Sequence, residues 1–360
     1  MKAEPTSTES HQDRAAPETV ELTDAGPRAV WRDYRESGLD QMIKNTYLFM
    51  TLDACARAGL LDRLREGQTA SEELFEGMDR KLAESVVRYL ELQGVVEDGK
   101  EGAWRLTERG QLLTSEASRA MLGFYGEAYG PVISRAADLL VSQATYGRNV
   151  ARDTAALGRH SATLFHRFHT PTVLNALGDI DAQCILDVGC GAGRLLVDAC
   201  AQNPNLRGVG LDISPDAIDV ARQLAFTAGV DDRLEFVVGD AFHPESWPAV
   251  CREADTLVAV GVVHEFFREG EERVVALFDT FAELLRSGLK GFILGEPQLR
   301  YDNAEDDSEF FLVHALTAQG FPLRRELWLD ILARTQLRCR RLLTRPEAGQ
   351  RLVFYDLVPT

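Results

Sequence analysis

The chain has 360 residues, 45% of them hydrophobic, enough for two packed domains and a sizeable core. Its formal charge of −17 at pH 7 disfavours phosphate backbones and anionic membranes as partners, because both are bound through clustered Lys and Arg. Small molecules or other proteins are the expected partners, and the absence of an eighteen-residue apolar run or a secretory leader leads us to expect a cytoplasmic protein.

Residues 1–35, rich in Glu, Ser, Thr, Ala and Pro without an apolar period, read as a solvated arm. Residues 36–118 open with a helical apolar period from 42 to 64, followed by short helices near 71–78 and 82–92. The run from Gly94-Val95-Val96-Glu97-Asp98-Gly99 through Trp104-Arg105-Leu106-Thr107 alternates and turns like a hairpin, so the segment resembles a winged helix. Asp and Glu outnumber Lys and Arg there, which sets dimerisation above DNA binding as its use. Residues 119–180 form a helical linker or lid carrying Phe124, Tyr125, Tyr129, Tyr146, Phe165, His166, Phe168 and His169. Most of these aromatics read as core, with a subset walling a substrate cavity. His166 and His169 read as a polar helix face or substrate contact before metal ligands.

From residue 181 onward strands and helices alternate, with strands at 184–188, 208–213, 234–239, 256–263 and 291–295. This pattern predicts an α/β fold with a doubly wound parallel sheet over 181–360. Two last strands, 338–343 and 351–357, joined by the turn-like Pro346-Glu347-Ala348-Gly349-Gln350, predict an antiparallel ending. The six cysteines form no C-x-x-C pair, and several lie in apolar segments, so they read as reduced core residues.

The most specific segment is Cys184-Ile185-Leu186-Asp187-Val188-Gly189-Cys190-Gly191-Ala192-Gly193-Arg194, an apolar strand entering a glycine turn and a helix. Such a turn lets backbone approach a nucleoside cofactor beyond the carboxyl end of a strand. A dinucleotide fingerprint would place its third glycine where Arg194 stands, so the spacing favours S-adenosylmethionine over NAD. Asp212 follows Gly193 by nineteen residues at the end of the second strand, where a carboxylate accepts from both ribose hydroxyls. Asp240, Ala241 and Phe242 end the third strand, where Asp240 suits the adenine amino group and Phe242 the ring face. An N-cap role explains either Asp alone, but not both together with the glycine turn.

Residues 184–297 thereby resemble the class I S-adenosylmethionine-dependent methyltransferases, with a Rossmann-like sheet. The helical N-terminal region with its wing looks like that of small-molecule O-methyltransferases. The resemblance implies that Asp187, Gly189, Gly191 and Gly193 hold the methionine part, Asp212 the ribose, and Asp240 with Phe242 the adenine. It also implies a homodimer built through the N-terminal domain.

The fourth strand leads into His264-Glu265-Phe266-Phe267, placing a histidine and a carboxylate at the rim where the cofactor's methyl points. In the O-methyltransferases the matching histidine deprotonates a phenol; here Glu265 replaces the usual Asp and Phe266 the usual Trp. His314 sits in Ser308-Glu309-Phe310-Phe311-Leu312-Val313-His314-Ala315-Leu316-Thr317-Ala318-Gln319-Gly320, a helix with a mostly apolar face around the histidine. A histidine on such a face is usually a core residue, but the O-methyltransferase pattern calls for glutamate in that late helix. His264-Glu265 with His314 resembles the metal-dependent α-keto acid C-methyltransferases of nonribosomal peptide biosynthesis. That resemblance implies iron or zinc on His264 and His314, and a metal-bound enolate attacked at its β-carbon. Glu265 is then the third ligand or the base and Glu296 a further catalytic helper, the alternative for either glutamate being to orient an imidazole. The alternative is a metal-free O-methyltransferase with His264 as general base, and a second rival is a DNA-binding regulator that has lost catalysis. Arg268 and Arg300 read as surface ion-pairing residues before substrate contacts, and the acidic run Asp302, Glu305, Asp306, Asp307 and Glu309 as a solvated loop and helix start.

Overall fold

Two compact units, 1–48 and 49–360, make up the chain in a computed structural model that describes residues 19–67, 69–99, 103–299, 308–317, 320, 322, 324–345 and 352–360. In the first unit the expected arm is partly helical: Ala25–Glu36 forms three turns. Good helix formers such as Arg and Ala, with Arg35 in the last turn against the negative end of the helix dipole, account for this departure. Val30 and Trp31 on it are exposed, as are Met42, Ile43 and Tyr47 on the following helix, Leu39–Arg57.

In the second unit, β1 (Thr69–Ala70), β2 (Val96–Asp98) and β3 (Ala103–Leu106) form an antiparallel sheet in the order β1-β3-β2. The helix Arg80–Leu92 lies between β1 and β2 in the chain, capped by Asp79, whose side chain accepts from the Leu82 N–H, and buries Ala83, Val87 and Leu90. The helical layer after it includes Glu116–Gly123, a π-helical turn at Phe124–Ala128, and Thr154–Phe168 capped by Asp153. Gly123 is required at its crossing, because a Cβ there would lie 2.1 Å from the His160 ring.

The main sheet contains β4 (Cys184–Val188), β5 (Arg207–Asp212), β6 (Leu234–Val238), β7 (Thr256–Val260), β8 (Gly291–Pro297), β9 (Leu337–Leu343) and β10 (Leu352–Pro359) in the order β6-β5-β4-β7-β8-β10-β9. β4 to β8 run parallel, and β10 lies antiparallel to both β8 and β9. Every residue of β4 and β8 is buried, as expected when helices cover both faces of a parallel sheet. Alternation along β4 feeds two cores: Ile185 packs with Leu196, Ile218 and Ile293, while Leu186 and Val188 join the cluster of Phe278, Phe292 and Tyr355.

The order positions the site. β4 has β5 on one side and β7 on the other, so the direction of winding reverses there and opens a crevice at its carboxyl end. β7 stops at Val260 rather than 263, because Gly261 adopts φ +65° and Val263–Glu269 coils into a 3₁₀ helix. β8 continues two residues past 295 and so carries Glu296 inside the sheet.

Candidate active site

At the carboxyl end of β4 the three glycines of the turn take left-handed φ values: +74° at Gly189, +53° at Gly191 and +71° at Gly193. Gly193 packs on Phe236, and a Cβ on Gly189 would press on Val262, whereas a Cβ on Gly191 would meet nothing within 4 Å. Gly191 therefore presents open backbone at the crevice. Its N–H donates to Oδ2 of Asp212 (2.9 Å), and the Ser214 N–H donates to Oδ1 (2.9 Å), so the Asp212 carboxylate is fixed at the tip of β5. Asp187 is buried behind the turn; burial, with Asp212 nearby, pushes its carboxyl up to about 7. Two carboxylates here suit a ligand carrying positive charge. Asp240 accepts the Phe242 N–H at 2.9 Å, and the Phe242 ring stacks on Phe266 at 4.3 Å and 10°. Ala241 is buried between them in sequence.

His264 is the second residue of the 3₁₀ helix after β7 and is buried. Its Nδ1 lies 2.8 Å from Oε2 of Glu296, and the Val263 N–H donates to the other oxygen, Oε1, at 2.8 Å. Glu296 is fully buried. A carboxylate in this position accepts, so Nδ1 carries the hydrogen and Nε2 is the acceptor side of the ring. His314 lies on the helix Ser308–Leu316, and its Nδ1 sits 2.6 Å from the Phe310 carbonyl, which likewise leaves Nε2 as the acceptor. The two imidazoles meet edge to face at 6.4 Å between centroids. Burial holds His314 down to about 3, so it is neutral at ordinary pH.

Glu265 lies on the Nε2 side of the His264 ring, its Oε1 3.7 Å from that nitrogen, and is engaged by two guanidiniums. Arg152 Nη2 donates to its Oε1 at 2.7 Å, and Arg268 Nη1 lies 2.6 Å from Oε2. Burial alone would raise its carboxyl, but His264 and the two guanidiniums outweigh this and hold it below the usual range. Both of its oxygens are thus paired with guanidiniums rather than left for a metal or a substrate proton, and among the described residues no group of three His, Cys, Asp or Glu is placed to hold a metal. His264 and His314 do fit as two imidazole ligands, with Glu296 and the Phe310 carbonyl as their outer partners.

The remaining sequence expectations separate. His166 bonds Asp198 (2.5 Å) and Arg194 (3.1 Å), and His169 packs against Phe165 and Phe354, so they do not share a site. Arg268 is an exposed pairing residue, as expected, and its partner is the active-site carboxylate Glu265. Arg300 and the acids Asp302, Glu305, Asp306 and Asp307 lie outside the described residues, as does the turn at 346–350. Sequence reasoning missed Arg152, which precedes a helix cap in a loop 113 residues from its partner Glu265. A cavity of 380 Å³ lined by Arg222, Phe226, Asp231 and Leu234 lies beside the outermost strand β6, away from these groups.

Residues 185–288 match a family described as "Methyltransferase domain". Methyltransferase ungE' of Aspergillus campestris is 23% identical over 74% of this chain and 80% of its own length. A release factor glutamine methyltransferase of Chlorobaculum tepidum is 38% identical, but over only 24% of this chain and 29% of its own. Among solved structures, mitomycin 7-O-methyltransferase MmcR superposes with a TM-score of 0.66 at 17% identity, covering 92% of this chain and 100% of that one. The pyocyanin biosynthetic protein PhzM does so with a TM-score of 0.62 at 20% identity, covering 89% and 98%.

The chain is an S-adenosylmethionine-dependent methyltransferase, with the matched methyltransferase domain at residues 185–288. Within that class it has the fold of the small-molecule O-methyltransferases, with a helical domain before the sheet. No helix among the described residues is long and apolar enough to cross a membrane.

Proposed function

We propose that the enzyme methylates a hydroxyl of a small organic molecule, with His264 as the general base. The observation that carries this reading is the Glu296–His264 hydrogen bond, which fixes the ring so that Nε2 faces away from the buried carboxylate. S-adenosylmethionine supplies an electrophilic methyl group at the end of the β4 crevice. The glycine turn with Asp187 holds its methionine part, Asp212 its ribose, and Asp240 with Phe242 its adenine. His264 takes the hydroxyl proton on Nε2 as the oxygen becomes nucleophilic, and Glu296 stabilises the resulting imidazolium. Glu296 acts here as a positioning residue. The same reading includes self-association through the N-terminal helices, whose exposed Trp31, Met42 and Tyr47 offer apolar surface.

One observation favours a second reading, C-methylation of an α-keto acid. His314 faces His264 with its Nδ1 held by a carbonyl, an arrangement that suits two neutral imidazole ligands and that a single-base mechanism leaves unused. Iron or zinc on His264 and His314 would polarise the keto and carboxylate oxygens of such a substrate.

The deciding experiment assays phenols and α-keto acids for methyl transfer, with and without a chelator, alongside metal analysis of the purified protein. The first reading expects O-methylation that survives chelation and is lost in His264→Ala. Turnover of a keto acid that needs metal and both histidines would replace it with the second.

A further inference from the structure

Arg152 brings a guanidinium with incomplete hydrogen bonding to this site. Its guanidinium is largely enclosed, with 13% of the side chain exposed. Nη2 donates to Glu265 at 2.7 Å, and Nη1 makes a long contact of 3.4 Å to the Tyr129 hydroxyl. Nε is buried and has no hydrogen-bond partner. An unmet guanidinium N–H in such a place is unfavourable unless a ligand brings an acceptor.

The local charge points the same way. Glu265 is shared by Arg152 and Arg268, so these three side chains carry one positive charge beyond balance. Glu296 does not offset the surplus there, because it engages the opposite, Nδ1 side of His264. The Nε2 side faces Glu265, at 3.7 Å, and through it the two guanidiniums.

Through Tyr129, Arg152 adjoins a cluster of aromatic rings. Phe124 and Tyr129 lie 5.0 Å apart, Phe310 and His314 4.3 Å apart, and Tyr129 and His314 6.1 Å apart. Phe124 belongs to the π-helical turn Phe124–Ala128, a local distortion of the kind that often accompanies a ligand site.

We propose that Arg152 is a specificity-determining residue that receives the carboxylate of an aromatic acid, holding it beside the atom to be methylated. A guanidinium offers parallel N–H donors that match a carboxylate, and the single surplus charge suits a monoanion. This rests on the reading that His264 marks the acceptor end of the site.

The test measures binding by calorimetry in the presence of S-adenosylhomocysteine, using two matched pairs: 1-hydroxy-2-naphthoate with its carboxamide, and phenylpyruvate with its amide. The wild-type protein is expected to bind at least one acid about 10-fold or more tighter than its amide. Arg152→Gln should weaken that acid about 10- to 100-fold and its amide less than about two-fold, with S-adenosylhomocysteine affinity retained. Arg152→Lys, keeping charge without the planar fork, should fall between. Equal affinity for acid and amide in both pairs, or equal weakening of acid and amide by Arg152→Gln, overturns the proposal. Should both variants fail to fold, the wild-type comparison alone decides it. Methyl transfer is followed separately: an acid bound selectively but not methylated supports the subsite and counts against the role given to His264.

Discussion

The Nδ1 of His264 lies 2.8 Å from Oε2 of Glu296, a side chain with no exposed surface that is held from the other side by the Val263 N–H. Three features must coincide for this. β7 has to end early at Gly261, the 3₁₀ turn has to begin at Val263, and β8 has to run on through residue 296. The ring is thus fixed by backbone on one strand and a carboxylate on the next. Glu296→Gln should keep the shape but lose the charge that favours a protonated ring, lowering kcat about 100-fold with little change in cofactor affinity. Single-turnover methyl transfer beside S-adenosylhomocysteine titration checks it; an unchanged kcat would refute the positioning role.

A second prediction concerns the glycine turn. Gly191→Ala introduces a Cβ into open space at φ +53°, so the apoprotein should lose only about 1 kcal/mol of stability. Cofactor binding should fall steeply, since that space is where the ligand's polar end must lie. Gly193→Ala, whose Cβ would come 2.5 Å from Phe236, should instead lower stability first. Thermal unfolding with and without S-adenosylhomocysteine separates the two; equal behaviour would mean Gly191 is only a turn residue.

How far the sequence reading reached depends on whether each feature is local in the chain. The strand from Cys184, the glycine turn, and Asp212 at its interval were legible because one βαβ unit carries them all, and apolar runs marked each strand core. The facing of His264 and His314 was also expected, from a family resemblance. The pairing of Glu265 was not, because one of its two guanidiniums comes from Arg152, more than a hundred residues earlier, and only Arg268, three residues on, is local. Strand ends fared similarly: Val262 and Val263 look like strand continuation, and only the left-handed Gly261 turns them out of the sheet. The helix Ala25–Glu36 was hidden by the polar composition of its surroundings.

The buried groups make acid stability a third test. Unfolded, a histidine takes up a proton near pH 6.5, whereas folded His314 does so only near pH 3. Between those values the unfolded chain binds more protons, so this residue's contribution is full above pH 6.5 and is lost as the pH falls. His314→Gln should flatten the fall in stability between pH 6.5 and 4 by up to about 1.4 kcal/mol per pH unit. Urea unfolding at stepped pH measures it, and an identical slope in wild type and variant would contradict the burial of a neutral ring.

Asp187 acts in the opposite sense. Its carboxyl ionises near pH 4 when unfolded but is pushed up to about 7 in the fold, so the folded chain binds more protons between those values. Stability from this residue is present at low pH and is lost as the pH rises through 7. Asp187→Asn removes the buried charge, and should stabilise the apoprotein at pH 8 by roughly 1–3 kcal/mol while weakening cofactor binding. The gain should shrink as the pH falls toward 4, where the native carboxyl is already neutral in the folded state. Unfolding midpoints of the two proteins at pH 5 and 8, each with and without S-adenosylmethionine, provide the measurement. A variant less stable than wild type at pH 8 would show that Asp187 supports the fold itself. A gain paired with lost binding would mean that the turn keeps an unfavourable buried carboxylate because the positively charged donor requires it.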